Sequence, residues 1–399
     1  MRIVRLSTVL LPWHSAAPAR GDFQPITAAR VWWSLVLLVV LGLLGGCAAI
    51  ERNYEAALLL GDLRAGDGPS RLKDRAPEPV RETVGYEAYG RTFVADVYQP
   101  GEPARAVLML MHGFSEEGKD DPRLTAVAST FARARFTVVV PDIESLRRFE
   151  VRVDNVEDVL AAFQYAQREG LVEGRPLGAA AFSYGVGPVM LAALEPDARE
   201  QVDFMVAIGG YYDIVEALGF VTTGWFREDG EWVYREPNIA GKWLVLPAYT
   251  HRLEDENDRR LLREIAERKM ADPEADVEDL AQQLGPDGRA MYDLTVNEDP
   301  QRVTELVRRL PEDVRAELRA LDLANEPLQE LHARLLLIHG RDDDIVPPTH
   351  SMALAEAVGD EQADLRLVGG LYHVDIDPGL RDAWRLWRAA AALLRLRDG

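Results

Sequence analysis

Hydrophobic positions along this chain fall into two rhythms that take turns. Residues 106–111, 136–140, 177–182, 204–208 and 335–338 are nearly unbroken apolar runs of strand length. Runs of that kind predict strands covered on both faces, as in parallel sheets. Between them the spacing becomes helical: residues 124–131, then about 155–169 with Val156, Val159, Leu160 and Phe163 on one face, the stretch after Ser183, and residues 351–358 and 379–396. Upstream, residues 80–98 alternate in two pieces around Gly90, which is the mark of a β-hairpin. A last strand is expected over 365–368. Strand and helix in alternation predict an α/β protein with a doubly wound, mostly parallel sheet, whose functional groups belong at the carboxyl ends of the strands.

The alternation breaks from 211 to 327. Trp225, Phe226, Trp232, Tyr234, Trp243 and Tyr249 open this insertion, and acidic, helix-forming segments come after them. Val303, Leu306, Val307 and Leu310 share one helical face, and Pro311 followed by Glu312 and Asp313 starts another helix that buries Val314, Leu318 and Leu321. The insertion reads as a helical cap, with its aromatics mainly as packing. The α/β core is then made of residues 80–210 and 328–399.

Composition adds two points. With 47% hydrophobic residues the chain has ample material for a core, and a formal net charge of −21 argues against nucleic acid as a partner, since phosphate binding needs a basic surface. At the other end of the chain, residues 31–50 carry no charge and lie between Arg30 and Glu51. Such a run suits a signal-peptide core, could just span a membrane, or could be a buried helix. The chain's single cysteine, Cys47, directly follows Leu44, Gly45 and Gly46. That placement resembles a bacterial lipoprotein signal, which implies cleavage before Cys47 and its lipidation; an uncleaved signal anchor is the alternative. Residues 1–46 are thus expected to be a signal or anchor segment. Residues 47–79, with Gly66, Gly68, Pro69, Pro77 and Pro79, are expected to be a short helix and a tether. Arg2, Arg5, Arg20 and Arg30 precede the apolar run, so the body is expected on the exported face of a membrane.

The chemistry concentrates at strand ends. The run 177–182 leads into Ser183, flanked by Ala181 at minus two and Gly185 at plus two, as a tight strand-to-helix turn requires. The run 335–338 leads into His339, Gly340 and three acids, Asp342, Asp343 and Asp344. The last strand leads into Gly369, Gly370 and then His373. A serine attacks only if an imidazole takes its proton, and that imidazole needs a carboxylate to hold its tautomer. Asp142 and Asp213 also follow strands and could supply a carboxylate, but they precede the resumed sheet, and His112 and His339 are expected to serve their own loops.

In its Ser, Asp, His order, the chain over roughly 80–396 resembles the α/β-hydrolase family. His112-Gly113-Phe114 is similar to the family's oxyanion loop, residues 181–185 to its nucleophile elbow, with alanine at 181 where glycine is usual, and residues 339–347 to its acid loop. The resemblance implies Ser183 as nucleophile, Asp343 as the acid with Asp342 and Asp344 still open, His373 as base, and the backbone N–H groups of Phe114 and Tyr184 as oxyanion donors. It further implies acyl transfer to water on a small-molecule or lipid acyl substrate, an ester or thioester, without metal or organic cofactor. Peptidase, acyltransferase and lactonase activities share that machinery. A catalytically idle scaffold on the same fold is the alternative from another class.

Overall fold

The computed structural model of the protein describes residues 48–359, 361–372, 375–376 and 380–399. The strands are β1 (Val80–Ala88), β2 (Arg91–Gln99), β3 (Ala106–Leu110), β4 (Phe136–Pro141), β5 (Leu177–Phe182), β6 (Phe204–Ile208), the cap strands β7 (Trp225–Glu228) and β8 (Glu231–Tyr234), β9 (Arg334–Gly340), β10 (Ala363–Val368), and the two-residue strands β11 (Leu371–Tyr372) and β12 (Asp375–Ile376); the unbroken apolar runs become β3, β4, β5, β6 and β9. Eight of them form one sheet in the order β1-β2-β4-β3-β5-β6-β9-β10. β2 pairs antiparallel with both neighbours, and every pairing from β4 to β10 is parallel. This is the mostly parallel, doubly wound sheet that the pattern predicts.

Side chains alternate across a strand, so each run feeds two cores. On one face Val107, Met109, Val139, Leu177, Ala179, Ala181, Met205, Ala207, Leu335 and Leu337 pack with the helices Asn155–Arg168, Val186–Leu194 and Pro348–Val358. On the other, Leu108, Leu110, Phe136, Val138, Val140, Phe204, Val206 and Leu336 pack with the helices Pro122–Arg133 and Leu380–Asp398.

The cap is helical over Ile214–Thr223, Ile239–Tyr249, Glu256–Ala271, Pro286–Thr295, Val303–Arg309 and Glu312–Ala320. Its apolar stripes, including Leu246, Leu261, Ile265, Leu294, Leu306, Val314 and Leu318, join the same cluster as the first sheet face. One part of it is not helical. The hydrophobic pattern predicts no strands there, yet β7 and β8 pair antiparallel, joined by Asp229 (φ +51°) and Gly230 (φ +86°). Two successive left-handed residues are what a two-residue hairpin turn needs, and Asp-Gly supplies them.

Residues 51–65 are helical, as expected, and Ala56 and Leu59 are buried in the second core. Residues 66–79, expected to be a tether, are instead fastened to the body at their start. The buried Asp62 carboxylate accepts from Ser70 Oγ and, at 2.8 Å, from Thr130 Oγ1, and pairs with Lys73 at 2.8 Å and Arg133 at 3.4 Å. Burial alone would raise the pKa of this carboxyl; Lys73, Ser70 and Thr130 outweigh burial and hold it below its ordinary value. Residues 51–399 form one compact unit.

Candidate active site

β5 ends in extended backbone at Phe182 (φ −118°, ψ 145°), and Ser183 reverses the chain at φ +50°. A tight turn, Ser183–Gly185, then runs directly into the helix Val186–Leu194. A non-glycine residue in the left-handed region costs on the order of 1–2 kcal/mol, so surrounding contacts must enforce it. Those contacts are tight. A Cβ on Gly185 would lie 3.1 Å from Met111 Sδ and 3.7 Å from Ala181 Cβ, and one on Gly187 would lie 2.0 Å from Tyr211 Oη. The small residues at 181 and 185 let strand and helix pass this closely, and alanine at 181 fits.

The N–H groups at the start of such a turn have no partner inside the helix, and the helix dipole adds partial positive charge there. Tyr184 supplies one of these donors. Phe114, in the loop after β3, lies against it: the two rings stack with centroids 5.5 Å apart at 6°. No backbone hydrogen bond of the described residues uses the Phe114 N–H. His112, two residues before, is buried; its Nδ1 donates to the Gly113 carbonyl (2.8 Å) and its Nε2 accepts from the Ile143 N–H (2.9 Å). Burial lowers its pKa, so this imidazole is neutral and ties the β3 loop to the β4 loop.

Across the sheet, Phe182, Ile208 and Ile338 stand level on β5, β6 and β9. The acid loop thus leaves the sheet on the same edge as Ser183, one strand removed. Its three acids have separate fates. Asp343 is fully buried, and its Oδ1 accepts from the N–H groups of Ile345 and Val346, both at 2.9 Å, while Oδ2 lies 3.5 Å from His339 Nε2. Asp342 is exposed and accepts from the Gly370 N–H at 3.3 Å, and Asp344 accepts from Asn238 Nδ2 at 3.1 Å. His339 spans the loop from within, from Ser351 Oγ (2.6 Å) to the Val346 carbonyl (2.8 Å). Behind it, His350 accepts from the Tyr212 N–H at 3.2 Å, and burial, assisted by the neighbouring His339, pushes its pKa down to about 3. Asp213 caps the helix Ile214–Thr223 and Asp142 pairs with Arg147 at 3.3 Å.

His373 and Cys47 lie outside the described residues. The chain just before His373 is placed: a Cβ on Gly340 would fall 1.9 Å from the Leu371 carbonyl oxygen, so residues 369–371 run against the acid loop.

Sequence reading missed the loop between β4 and the helix Asn155–Arg168. The Tyr184 hydroxyl lies 2.9 Å from Asn155 Oδ1 and 3.0 Å from the Arg152 carbonyl and accepts from the Arg152 N–H at 3.1 Å. Asn155, buried, donates in turn to Ser145 Oγ (2.6 Å) and Asp158 Oδ2 (3.1 Å). Phe149, at φ +58°, brings its ring 6.1 Å from Phe114. The loop's polar and apolar residues show no period, so only burial marks Asn155 as part of the site. The arrangement can polarise a carbonyl beside a strained serine, under an apolar wall of Phe114, Phe149 and Tyr184.

No protein-family model matches the chain, and no curated protein matches it. Solved structures resemble its fold. Acylaminoacyl peptidase of Pyrococcus horikoshii matches with a TM-score of 0.44 and 11% identity over 81% of this chain and 42% of that one. Est1E of Butyrivibrio proteoclasticus matches with a TM-score of 0.42 and 13% identity over 79% and 98%. Dienelactone hydrolase of Anabaena variabilis matches with a TM-score of 0.41 and 14% identity over 80% and 99%. This chain therefore spans less than half the length of the peptidase.

Proposed function

We propose that the protein is a serine hydrolase that cleaves a carboxylic ester or thioester through an acyl-enzyme. The observation that carries the reading is Ser183, held at φ +50° where β5 turns into a helix, with a buried, doubly hydrogen-bonded Asp343 at the same edge of the sheet. Ser183 Oγ attacks the carbonyl carbon as its proton passes to His373; the carbonyl π electrons move onto oxygen, which the N–H groups of Phe114 and Tyr184 receive. His373 then returns the proton to the leaving alcohol or thiol, and a water activated the same way releases the acid. Asp343 holds the imidazole in the needed tautomer and balances its charge. No step calls for a metal or organic cofactor. The acyl group would lie against Phe114 and Phe149.

The test is labelling of the full chain with a fluorophosphonate, together with turnover of p-nitrophenyl esters of graded chain length. Labelling and turnover that vanish in Ser183→Ala, with at least about a thousandfold loss of kcat/KM, support the reading. Equal labelling of wild type and Ser183→Ala, or none in either, would leave an idle scaffold. The apolar run before Cys47 supports attachment to the exported face of a membrane through a lipid on that cysteine. Mass spectrometry finding an unmodified Cys47 inside an uncut chain would remove the lipid.

A further inference from the structure

The acid loop is held from two sides. From within the core, His339 reaches the Val346 carbonyl, and the Asp343 carboxylate draws in the N–H groups of Ile345 and Val346. From outside, the segment that links the cap hairpin to the helix Ile239–Tyr249, together with the first turn of that helix, meets three successive residues of the loop. Arg235 Nη1 donates to the Asp343 carbonyl at 2.7 Å. The Asn238 N–H donates to the Asp344 carbonyl at 2.9 Å, and Asn238 Nδ2 donates to the Asp344 carboxylate at 3.1 Å. Gly241 brings its backbone against Ile345, whose Cγ1 would be 3.4 Å from a Cβ there.

The grip is itself rigid. The Arg235 guanidinium lies over the Phe226 ring, 5.3 Å from its centroid, and Phe226 is buried edge-on against Phe220. The Arg235 N–H donates to the carbonyl of Gly224 at 2.8 Å. Asn238 Oδ1 caps its helix by accepting from the Gly241 N–H at 3.1 Å. A guanidinium is fixed in plane and presents its donor in one direction, so a carbonyl bonded to it is restrained in position. More than a hundred residues of sequence separate the two partners.

We propose that Arg235, with Asn238, is a positioning residue for Asp343, so that the cap sets the orientation of the acid. The inference rests on the serine-hydrolase reading for its kinetic consequence, though not for its structural one. When the grip is released, the Asp343 backbone shifts, its carboxylate loses alignment with the imidazole it serves, and proton transfer slows without loss of substrate affinity.

Two measurements on the full chain test this. In Arg235→Ala, kcat for the best p-nitrophenyl ester is expected to fall about 10- to 100-fold with KM within twofold. Arg235→Lys, which keeps the charge but not the planar, stacked donor, is expected to recover only part of it, while Glu231→Ala at the exposed hairpin tip stays at wild-type rate. Hydrogen exchange of the Ile345 and Val346 amides, which report the carboxylate's position without any turnover, is expected to quicken at least about tenfold in Arg235→Ala and in Asn238→Ala. A kcat unchanged in Arg235→Ala, a change in KM in place of kcat, or unchanged exchange of those two amides would overturn the proposal. If the wild type shows no Ser183-dependent turnover, the enzymatic reading fails by itself, and the exchange measurement still decides whether the cap holds Asp343.

Discussion

Ser183 adopts a backbone conformation that glycine takes without steric cost. Its strain is offset by the close fit of Met111 and Ala181 against Gly185 in the same turn. Ser183→Gly should therefore raise stability by about 0.5–1 kcal/mol, net of glycine's greater chain entropy, while abolishing fluorophosphonate labelling. Urea unfolding of the two proteins checks it, and a lower midpoint for the variant would mean that the turn holds no strain. At the same scale, burial and partners sort the acids of the triplet. A carboxylate removed from water needs hydrogen bonds, and Asp343, the member with two backbone N–H groups on one oxygen, is the one buried.

At the scale of elements, the crossing of β5, its following helix and the start of the cap depends on an absent side chain. Gly187 sits where a Cβ would be 2.0 Å from Tyr211 Oη, and that hydroxyl donates to the Leu321 carbonyl at 2.7 Å, in the turn after the last long cap helix. In Gly187→Ala either the helix moves off Ser183 or Tyr211 gives up its hydrogen bond. We expect a loss of roughly 2–3 kcal/mol in urea unfolding, with slower labelling of Ser183. A variant as stable and as reactive as wild type would show that the helix has room to shift. The cap hairpin makes a related point. Asp229-Gly230 is a two-residue hairpin signal legible in the sequence, but the aromatic positions around it carry no clean alternation, and the helical segments after it mask it.

For the whole molecule, the cap is joined to the sheet by a shared core and by polar contacts that include the buried Glu317 carboxylate. Glu317 accepts from Arg252 Nε (2.8 Å) and Nη2 (2.7 Å) and from the Val153 N–H (3.0 Å), and the Val151 N–H donates to the Ala248 carbonyl (3.0 Å). Burial alone would raise the pKa of Glu317, but Arg252, His251 and the Val153 N–H bring it down to about 2. Its folded value lies below its unfolded one. The stabilisation is therefore complete above about pH 4.5 and lost as pH falls toward 2, a contribution of roughly 2–3 kcal/mol less solvent screening. Unfolding midpoints followed from pH 6 to pH 2.5 should drop more steeply in wild type than in Glu317→Gln, which begins less stable; parallel curves would contradict the assignment.

Sequence alone determined which segments form the strands of the main sheet and that most run parallel, because strand runs and helix spacings are local patterns that each core face reads directly. It also placed Ser183 and the acid triplet at strand ends, since a tight strand-to-helix turn demands small residues at fixed offsets. It expected His112 and His339 to serve their own loops, and each makes hydrogen bonds there. Tertiary structure decided what depends on contacts between distant parts of the chain. It buried Asp343 and turned Asp342 and Asp344 to other partners, fastened Asp62 to Thr130, brought Asn155 under Tyr184, and set Arg235 on the Asp343 carbonyl. Those pairings carry no period and no fixed spacing. They arise only when folding brings together groups that, once removed from water, must find their hydrogen bonds in one another.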